Sequence, residues 1–508
     1  MGRRRGRRRP AAQGRSARGL TRGRDPGVIL AGSCPRVHGS WTTSWWAGSS
    51  NWTALLGRAP GEQSLVETAA TLSVHADWSQ LLHPVSATRP APADQALVIL
   101  AGQQPVLAGG AALVVHKAAT AVAMAQRASA LLERPVVPVF LLATQDHDSD
   151  EVDHFDIINM SNRSLLRTRC RITPAHEMFS RASWDQTWPD LLASALDVDI
   201  GYLQSISGLD QTTSPRVSEH PAVLLDRVFG DQGLLLVESH RMQNAGRPVL
   251  ARALGERPAL ADALRRGAAA LRELNVAPAF DAEDPRPLVL ESRSGRRSRV
   301  SAGDDGALER LAHSPADFSP HAALRPVVQA LALPVLAQVA GPSELLYLAQ
   351  SRGLHEQFAA SAPVLVPRME ATRLPADVLA ERGEDLLDSS STPAGEAEQA
   401  LRDALRRFTA GIADADPGLL PRLERFASGV NARARRLAEM PTWRGRASHD
   451  LRTLARPRGR CQDAVLAWLP DAIACGDLPA YGRHLVTLCR PLESPIHMLH
   501  SLPEPSDG

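Results

Sequence analysis

Residues 96–156 constrain the fold more than any other part of this 508-residue chain. They begin with the apolar run Ala96–Ala101, pass through a glycine-rich turn, and then predict a long helix that runs to about Glu133. A second apolar run, Val136–Ala143, follows the helix. A strand, a turn, a helix and a strand in this order predict a βαβ unit with a right-handed crossover.

Polar residues follow both predicted strands. Because ligands of such sheets bind outside the carboxyl ends of the strands, we expect one site to draw on both clusters. Glycine lets a ligand approach the backbone, and glutamine amides both donate and accept hydrogen bonds. The alternative is that the glycine turn only lets the helix pack close to the strand. The substrate-binding candidates in this turn are Gly102, Gln103, Gln104 and Gly110.

One residue of the predicted helix stands out against the composition. The chain has 57 lysines and arginines, and Lys117 is its single lysine. An ammonium is a compact donor whose pKa can shift, whereas a guanidinium is a wide fork that stays charged. The helix is apolar nearly all round, which predicts burial on both sides. We therefore predict that Lys117 is catalytic and reaches the glycine turn or Asp146; the alternative is a chance lysine on a solvated face.

The acidic loop after the second strand supplies further catalytic candidates. A carboxylate–imidazole acid–base site is the main interpretation of this loop. A metal site is an alternative, since oxygen and imidazole ligands suit divalent cations. The acids lie along one loop without a distant histidine set, so no tightly bound metal is expected. A third interpretation is that Asp148 or Asp150 caps the next segment. With Lys117, the catalytic candidates are Asp146, His147 and Asp148.

A second strand-to-helix junction is predicted further along the chain. The apolar run Leu333–Ala340 reads as a strand, and Gly341 to Glu344 reads as a helix start with proline at the first helical position. Free backbone N–H groups at such a start suit a carboxylate or a phosphate. Another strand, Pro363–Arg368, ends in an arginine.

The last third of the chain changes character. Two helical stretches, about Ala394–Ile412 and Leu419–Met440, flank a Pro-Gly turn and each places apolar residues on one side. This pattern predicts an antiparallel helical hairpin, and through it a homodimer.

Composition limits the remaining function classes. Ten arginines and no acidic residue lie in Met1–Arg24, so the formal charge of +2 belongs to this tail. A nucleic-acid arm and a non-native extension from a misassigned start codon both remain open for it, and no nucleic-acid partner is expected for the rest. No apolar run approaches the roughly 20 residues of a membrane span. Five cysteines without a Cys-x-x-Cys spacing favour a reducing compartment, the cytoplasm.

Five motifs follow one another along the chain. They are Gly102-Gln-Gln-Pro-x-Leu107 with Gly110 and Lys117-Ala118; Pro138-Val-Phe140…Asp146-His-Asp148…Glu151-Val152; Ser319-Pro320…Leu324-Arg-Pro326…Gln329; Leu333-Pro334…Gly341-Pro342-x-Glu344…Tyr347…Ala349-Gln350; and Pro363-Val…Val366-Pro-Arg368. A fainter sixth pattern is Pro457-x-Gly459…Gln462. In this order they resemble the cysteine ligase family of bacillithiol biosynthesis.

The resemblance implies a fold, a reaction and partners. The fold is akin to that of adenylate-forming transferases, and the hairpin corresponds to a coiled-coil arm that supports dimerisation. The implied reaction adds cysteine to glucosaminyl malate, with ATP and ADP as the candidate nucleotides, although the sequence has no His-Ile-Gly-His motif or Walker loop. The resemblance implies four further substrate-binding residues, Arg325, Gly341, Glu344 and Arg368. It implies that the two arginines bind a malate-type carboxylate.

The chain departs from the family pattern at several positions. After the Gln-Gln-Pro, a tyrosine and a threonine of the family are replaced by Leu113 and Val114, and a glutamate before Asp146 is replaced by Gln145. The chain therefore resembles a divergent member, whose fold is predicted more firmly than its substrate.

Together these patterns predict an α/β protein with a Rossmann-like parallel-sheet core, inserted α/β segments and a helical antiparallel coiled-coil arm. The predicted function is a ligase that adds cysteine, or a similar small amino acid, to glucosaminyl malate. The alternatives are a metal-dependent phosphate-ester hydrolase using the Asp-His-Asp segment, and a non-catalytic nucleotide-binding scaffold. The predicted divisions are a disordered basic extension (1–60), the first part of the core (61–160), insertions (161–300), the second part of the core (301–391), the arm (392–440) and a C-terminal helical segment packed on the core (441–508).

Overall fold

The computed structural model is organised around a five-stranded parallel sheet, and it describes residues 21–22, 28–31, 44–73, 75–159, 164–210, 215–374, 462–493 and 497–501, with single positions between 401 and 430. The strands are β1 Leu97–Gln103, β2 Val136–Leu142, β3 Leu235–Glu238, β4 Val335–Ala340 and β5 Val364–Pro367. Their order in the sheet is β5-β4-β1-β2-β3, with every pairing parallel. This is the order of a doubly wound Rossmann sheet, so the predicted Rossmann-like core is confirmed.

Helices cover both faces of the sheet, which explains why its strands are almost continuously apolar. Leu97 and Ile99 pack on one face, and Val98 and Leu100 pack on the other. The main helices are α1 Leu113–Leu132, α2 Glu219–Phe229, α3 Gln243–Gly255, α4 Arg257–Glu273, α5 Arg325–Ala332, α6 Pro342–Ser351 and α7 Leu478–Leu488. The first face is covered by α1, α2 and α7, and the second by α3, α4 and α5.

The predicted βαβ unit is present with nearly the predicted bounds. Helix α1 ends at Leu132, and Glu133 adopts a left-handed conformation with φ +50° that lets the chain turn back towards β2. The chain runs from β1 to β2 on one side, while β4 pairs with the other side of β1. This reversal creates a crevice at the carboxyl ends of β1 and β4, which is where ligands of doubly wound sheets bind.

Smaller elements surround this core. A hairpin is formed by the strands Val289–Arg293 and Arg296–Arg299, which are joined through Ser294 and Gly295, both with positive φ as a two-residue hairpin turn requires. The other helices are Ser50–Leu56, Glu62–Thr71, Trp78–Leu81, Pro84–Ala87, Ser149–Val152, Trp188–Leu196, Ile200–Ser207, Ala307–His313, Gly353–Gln357 and Leu469–Cys475. The other strands are Thr21–Arg22, Val28–Ala31, His154–Asn159, Ser164–Arg169, Ile172–Thr173, Ser183–Trp184, Val289–Arg293, Arg296–Arg299, Phe318–Pro320, Glu370–Arg373 and His497–His500.

The expectation of a disordered extension over residues 1–60 is wrong for its described end, 44–60. Trp45 and Trp52 are buried there, in an apolar cluster that also contains Leu345 of α6. The Trp45 indole donates a 2.8 Å hydrogen bond to the Gly57 carbonyl. The segment is folded because burial of two large indole rings removes a large apolar area from water.

The predicted helical arm, 392–440, lies outside the described residues except for single positions. Two of these, Phe408 and Phe426, belong one to each predicted helix, and their ring centroids are 6.4 Å apart. Within the described residues, none of the helices is both long enough and apolar enough to cross a membrane.

Candidate functional site

Lys117 lies beneath the crevice between β1 and β4. It sits in the second turn of α1 and is 1% exposed. Its ammonium donates to the Gly102 carbonyl at 2.9 Å and to the Gln103 side-chain oxygen at 2.7 Å, and lies 2.6 Å from a Glu344 carboxylate oxygen. An ammonium has three donors, so all of them are used. Burial lowers the pKa of Lys117, and the Glu344 carboxylate opposes that effect.

The lysine therefore contacts the glycine turn, as one of the two predicted options has it. It does not pair with Asp146, which belongs to a separate ion-pair cluster described below. Lys117 instead connects the end of β1 to the start of α6. The sequence could not single out Glu344 as the partner, because β4 is placed beside β1 only by the fold.

The glycine turn owes its shape to residues with left-handed backbone. Gly109 and Gly110 have φ values of +78° and +76°, and Ala108 has φ +54°. A β-carbon on Gly109 would lie 2.7 Å from the Trp468 ring, and one on Gly110 would lie 2.9 Å from Val106. The backbone and packing of Gly110 thus give the turn its shape. This agrees with the alternative that the glycine turn only lets the helix pack close to the strand.

The N-terminus of the helix that begins after Gly341 is capped by a side chain of the same helix. Glu344, in the first turn of α6, accepts a 2.8 Å hydrogen bond from the Gly341 N–H. Its carboxylate lies where the sequence predicted a bound carboxylate or phosphate. Glu344 is 28% exposed while Lys117 is buried, so Glu344 is the member of the pair that a ligand in the crevice can contact.

Asp146 lies in a second cluster, at the end of β2. Arg325, at the start of α5, donates to it at 2.9 Å, and the Arg297 guanidinium lies 3.6 Å away. Burial alone would raise the pKa of Asp146, but Arg325, His147 and Arg297 hold it far below its ordinary range. Gln104 joins this cluster with a 3.4 Å contact to Asp146 and a 2.6 Å bond to Glu151.

His147 and Asp148 are placed differently from each other. The Arg297 guanidinium, which only donates, lies 3.0 Å from His147 Nδ1. The same Nδ1 lies 3.5 Å from an Asp146 carboxylate oxygen, so the ring stands between a donor and an acceptor. Asp148 is exposed at the N-cap position of the helix Ser149–Val152, and its side chain makes no capping hydrogen bond. Among the described residues, no group of three or more His, Cys, Asp or Glu is arranged to hold a metal.

The two arginines predicted to bind a carboxylate also differ. Arg325 is 24% exposed and faces the crevice cluster around Asp146. Arg368 is 6% exposed, and its Nη1 donates to Asp463 at 2.6 Å and to the Met369 carbonyl at 2.8 Å. This placement argues against direct binding of a substrate carboxylate by Arg368, because the carboxylate of Asp463 already occupies that position.

Three residues of the site were missed by sequence reasoning. Arg297 is 3% exposed and donates to Ser319 at 2.8 Å, and burial with nearby Arg325 lowers its pKa to about 9. It lies in an arginine-rich hairpin, where nothing in the sequence distinguishes it. Ser319 was part of a quoted motif, so that signal was available. Asp463 lies near the C-terminus, beside the fainter sixth match.

The structure thus brings most of the predicted residues to one crevice, as two adjoining clusters. Gln103 serves the first with Lys117, Gly102, Gly341 and Glu344, and Gln104 serves the second with Asp146, His147 and Arg325. Burial and the nearby Glu344 carboxylate raise the pKa of Tyr347, while Arg325 opposes this. A carboxylate-rich side and a guanidinium therefore face the same space, which suits a ligand that carries both an amine and an acid.

Comparison with known proteins gives a consistent picture. The family model described as the N-terminal Rossmann-like domain of bacillithiol biosynthesis BshC matches residues 90–369. The chain is 27% identical over 340 residues to a protein of Heliobacterium modesticaldum, 26% over 307 residues to one of Natranaerobius thermophilus, and 29% over 305 residues to one of Exiguobacterium sibiricum. Each bears the name "Putative cysteine ligase BshC".

These alignments cover part of each chain. They span 61%, 56% and 56% of this chain, and 60%, 56% and 57% of the three relatives in the same order. The matched part contains both clusters of the crevice, but not Asp463.

Proposed function

This chain belongs to the BshC family of bacillithiol biosynthesis, and from that premise we propose that it is a ligase of low-molecular-weight thiol biosynthesis. The proposed reaction joins the carboxyl group of cysteine, or of a similar small amino acid, to the amine of glucosaminyl malate. Amide formation needs an activated carboxylate, so we propose ATP as the source of activation: the oxygen that the carboxyl group loses leaves as inorganic phosphate, and the other product is ADP, which the protein can bind. The proposed location is the cytoplasm.

The observation that supports this proposal most is the convergence of the family motifs at one crevice. Gly102, Lys117, Asp146, Arg325 and Glu344 come from four of the five motifs, yet they lie within two adjoining clusters at the reversal of the strand order. Crevices of this kind bind ligands in doubly wound folds. A fold of this class hosts many reactions, so the substrate is inferred from the family and the site together.

We assign roles by burial and charge. Lys117 has no spare donor, so it acts as a fixed positive charge that orients Glu344. Glu344, the exposed partner, contacts the amine of the acceptor. Arg325, held by Asp146, binds the malate-type carboxylate, since a guanidinium suits planar, paired recognition. His147 is the candidate acid–base residue beside them.

Neither alternative function gains support from the geometry. Asp146 is neutralised by two arginines, which is the opposite of the anionic environment that a divalent cation needs. A non-catalytic scaffold would bind the same ligands without turnover, so experiment separates it from a ligase.

The test is to incubate the protein with ATP, cysteine and glucosaminyl malate and to search for the conjugate by mass spectrometry. We expect a product whose mass equals that of the two substrates less one water, and none when ATP is omitted. Binding of the substrates without any conjugate would support the scaffold and contradict the ligase. Turnover of a phosphate ester that depends on Mn²⁺ or Mg²⁺ would favour the hydrolase.

A further inference from the structure

The segment Gln462–Trp468 lies against the glycine turn although it is outside the matched domain. It is held there by backbone and side-chain hydrogen bonds rather than by apolar packing alone. These run from Ala112 N–H to the Leu466 carbonyl at 2.9 Å, from Ala467 N–H to the Asp156 carbonyl at 2.8 Å, and from the Trp468 indole to the Gly109 carbonyl at 3.1 Å.

Asp463 carries a buried charge from this segment into the core. It is 1% exposed, accepts from Arg368 Nη1 at 2.6 Å, and lies 3.2 Å from His116 Nδ1. Burial alone would raise the pKa of Asp463, but Arg368 and His116 lower it well below its ordinary range. Arg368, the partner of Asp463, is among the charges that act on Lys117, so the segment is linked to the lysine through this ion pair.

Arg368 has a second carboxylate close by. A β-carbon built on Gly341 would lie 3.3 Å from a Glu344 carboxylate oxygen and 3.5 Å from Arg368 Nε. Arg368 and Glu344 therefore approach the same point from two sides. The Arg368 guanidinium is directed at Asp463, and the Glu344 oxygen is directed at Lys117.

We propose that Asp463 is a positioning residue for Lys117: it holds the Arg368 guanidinium away from Glu344, so that Glu344 remains the partner of the Lys117 ammonium. The proposal concerns the ion pairs themselves and does not depend on the ligase reaction proposed above. It gives the C-terminal segment a role in fixing the ion pairs of the crevice.

The charges around Lys117 fix the direction of the expected effect. Glu344 faces it from α6, and the guanidinium of Arg368 faces it from the end of β5. Around Arg368 stand Asp463, Glu370 at 3.7 Å, and beyond Asp463 the ring of His116. Without Asp463, Arg368 loses its nearest counter-charge and competes for Glu344. The Lys117 ammonium is then less well stabilised, and lysine loses its proton at lower pH.

Because the chain has a single lysine, this prediction can be measured without an activity assay. Protein grown on lysine labelled with ¹³C at the ε-carbon gives one lysine signal, whose chemical shift follows protonation of Lys117. We expect Asp463→Asn to lower the pH of its inflection by about one pH unit, the effect of one uncompensated charge nearby in a protein interior. Asp463→Glu, which restores the charge, should return the inflection towards that of the wild type.

Two further variants separate positioning from simple loss of structure. In Arg368→Gln combined with Asp463→Asn the competing cation is absent, so the Lys117 inflection should lie at or above the wild-type pH. Asp471→Asn is the matched control, because Asp471 anchors the same C-terminal segment through Arg373 at 2.8 Å. It should leave the Lys117 titration unchanged.

Each of these measurements either supports the proposal or overturns it. A folded Asp463→Asn protein with the wild-type Lys117 titration overturns the proposal. A lowered inflection in the double variant, or an equal shift in Asp471→Asn, also overturns it, because either result would mean that loosening of the segment is the cause. If Asp463→Asn does not fold, the double variant, which removes both members of the Arg368–Asp463 ion pair, carries the test by itself.

Discussion

At the scale of single residues, Lys117 behaves as a fixed charge rather than as a mobile nucleophile. Its three donors meet three acceptors on two different elements, and its side chain is almost completely buried. Release of the ammonium would leave Glu344 and two carbonyl-type oxygens without their donor, which costs free energy for each group left unsatisfied. The lysine is therefore suited to hold the crevice in one geometry.

We predict that Lys117→Arg lowers turnover at least about tenfold, equivalent to about 1.4 kcal/mol in the activation barrier, while the fold is retained. A guanidinium keeps the charge but presents its donors as a flat fork, which cannot reach acceptors arranged around one nitrogen. Steady-state kinetics of conjugate formation and circular dichroism measure the two outcomes. Wild-type kinetics in this variant would show that Lys117 has no role in turnover and is a lysine retained by chance.

Arg127→Lys is the matched control for that prediction. Arg127 lies on the same helix and is 58% exposed, in an ion pair with Glu62. Exchange of one cation for another at such a surface position changes stability by a few tenths of a kcal/mol at most. Both its turnover and its melting temperature should match those of the wild type.

Asp146 leads to a prediction about pH. Its pKa in the folded protein is depressed, so its stabilising effect is complete above the unfolded value of about 4 and is lost as the pH falls below it. Asp146→Asn should lower the free energy of unfolding by about 3 kcal/mol at pH 7, since buried Arg297 loses its counter-charge. Urea unfolding of both proteins at pH 7 and pH 3 should show this difference shrinking in acid, and a constant difference would contradict it.

The candidate residues could be predicted in type and in approximate place, but their partners could not. Lysine in an arginine-rich chain identified Lys117, and strand ends identified Asp146 and Glu344. Pairing of Lys117 with Glu344 depends on β4 lying beside β1, and pairing of Asp146 with Arg297 depends on where the hairpin 289–299 lies in the fold. These are long-range consequences of topology, which local patterns do not contain.

At the scale of elements, the glycine turn and the C-terminal segment form one unit. The turn adopts left-handed backbone, and the Trp468 ring fills the space that a side chain on Gly109 would need. Its strand, helix and second strand were predictable because their apolar periodicity is strong. The contact with Trp468 was not predictable, since a tryptophan far along the chain carries no signal for a particular turn.

We predict that Gly109→Ala destabilises the protein more than Gly233→Ala does. Both glycines have left-handed backbone, with φ +78° and +84°, so both variants bear the same conformational penalty of about 1–2 kcal/mol. A β-carbon at Gly233 meets nothing within 4 Å, whereas one at Gly109 approaches the Trp468 ring to 2.7 Å. The crowding should add about 1 kcal/mol or more, measured by thermal unfolding. Equal melting temperatures would contradict the packing described for Trp468.

At the scale of the whole molecule, segments outside the matched domain complete the Rossmann-like core. Residues 44–57 pack their tryptophans against α6, and residues 462–493 cover α1. The sequence predicted the parallel sheet and its covering helices. It did not predict the folded N-terminal segment, because a Trp, Ser and Gly mixture has neither helical nor strand periodicity.

A chain that begins at residue 44 should therefore be more stable than one that begins at residue 60. The two differ in Trp45, Trp52, Leu55 and Leu56, all buried. Loss of even one large buried side chain costs about 3 kcal/mol, so the shorter chain should have a clearly lower melting temperature. This replaces the expectation that the whole of residues 1–60 is a disordered extension. Equal stability of the two chains would restore that expectation.

The last prediction concerns assembly, which we propose is a homodimer formed through the arm, 392–440. Phe408 and Phe426 are 52% and 53% exposed, and their ring centroids are 6.4 Å apart. Burial of a phenylalanine stabilises by about 1.5–3 kcal/mol, so covering both rings in each protomer would contribute substantially to association. We expect sedimentation velocity at micromolar concentration to show twice the 54.6 kDa chain mass, and Phe408→Ser with Phe426→Ser to shift the protein to monomer without unfolding. Tyr202→Ser, which removes another exposed aromatic side chain at 45% exposure, should leave the dimer intact. A wild-type protein that sediments as a monomer would contradict the proposal, because its exposed rings would then have no partner copy to cover them.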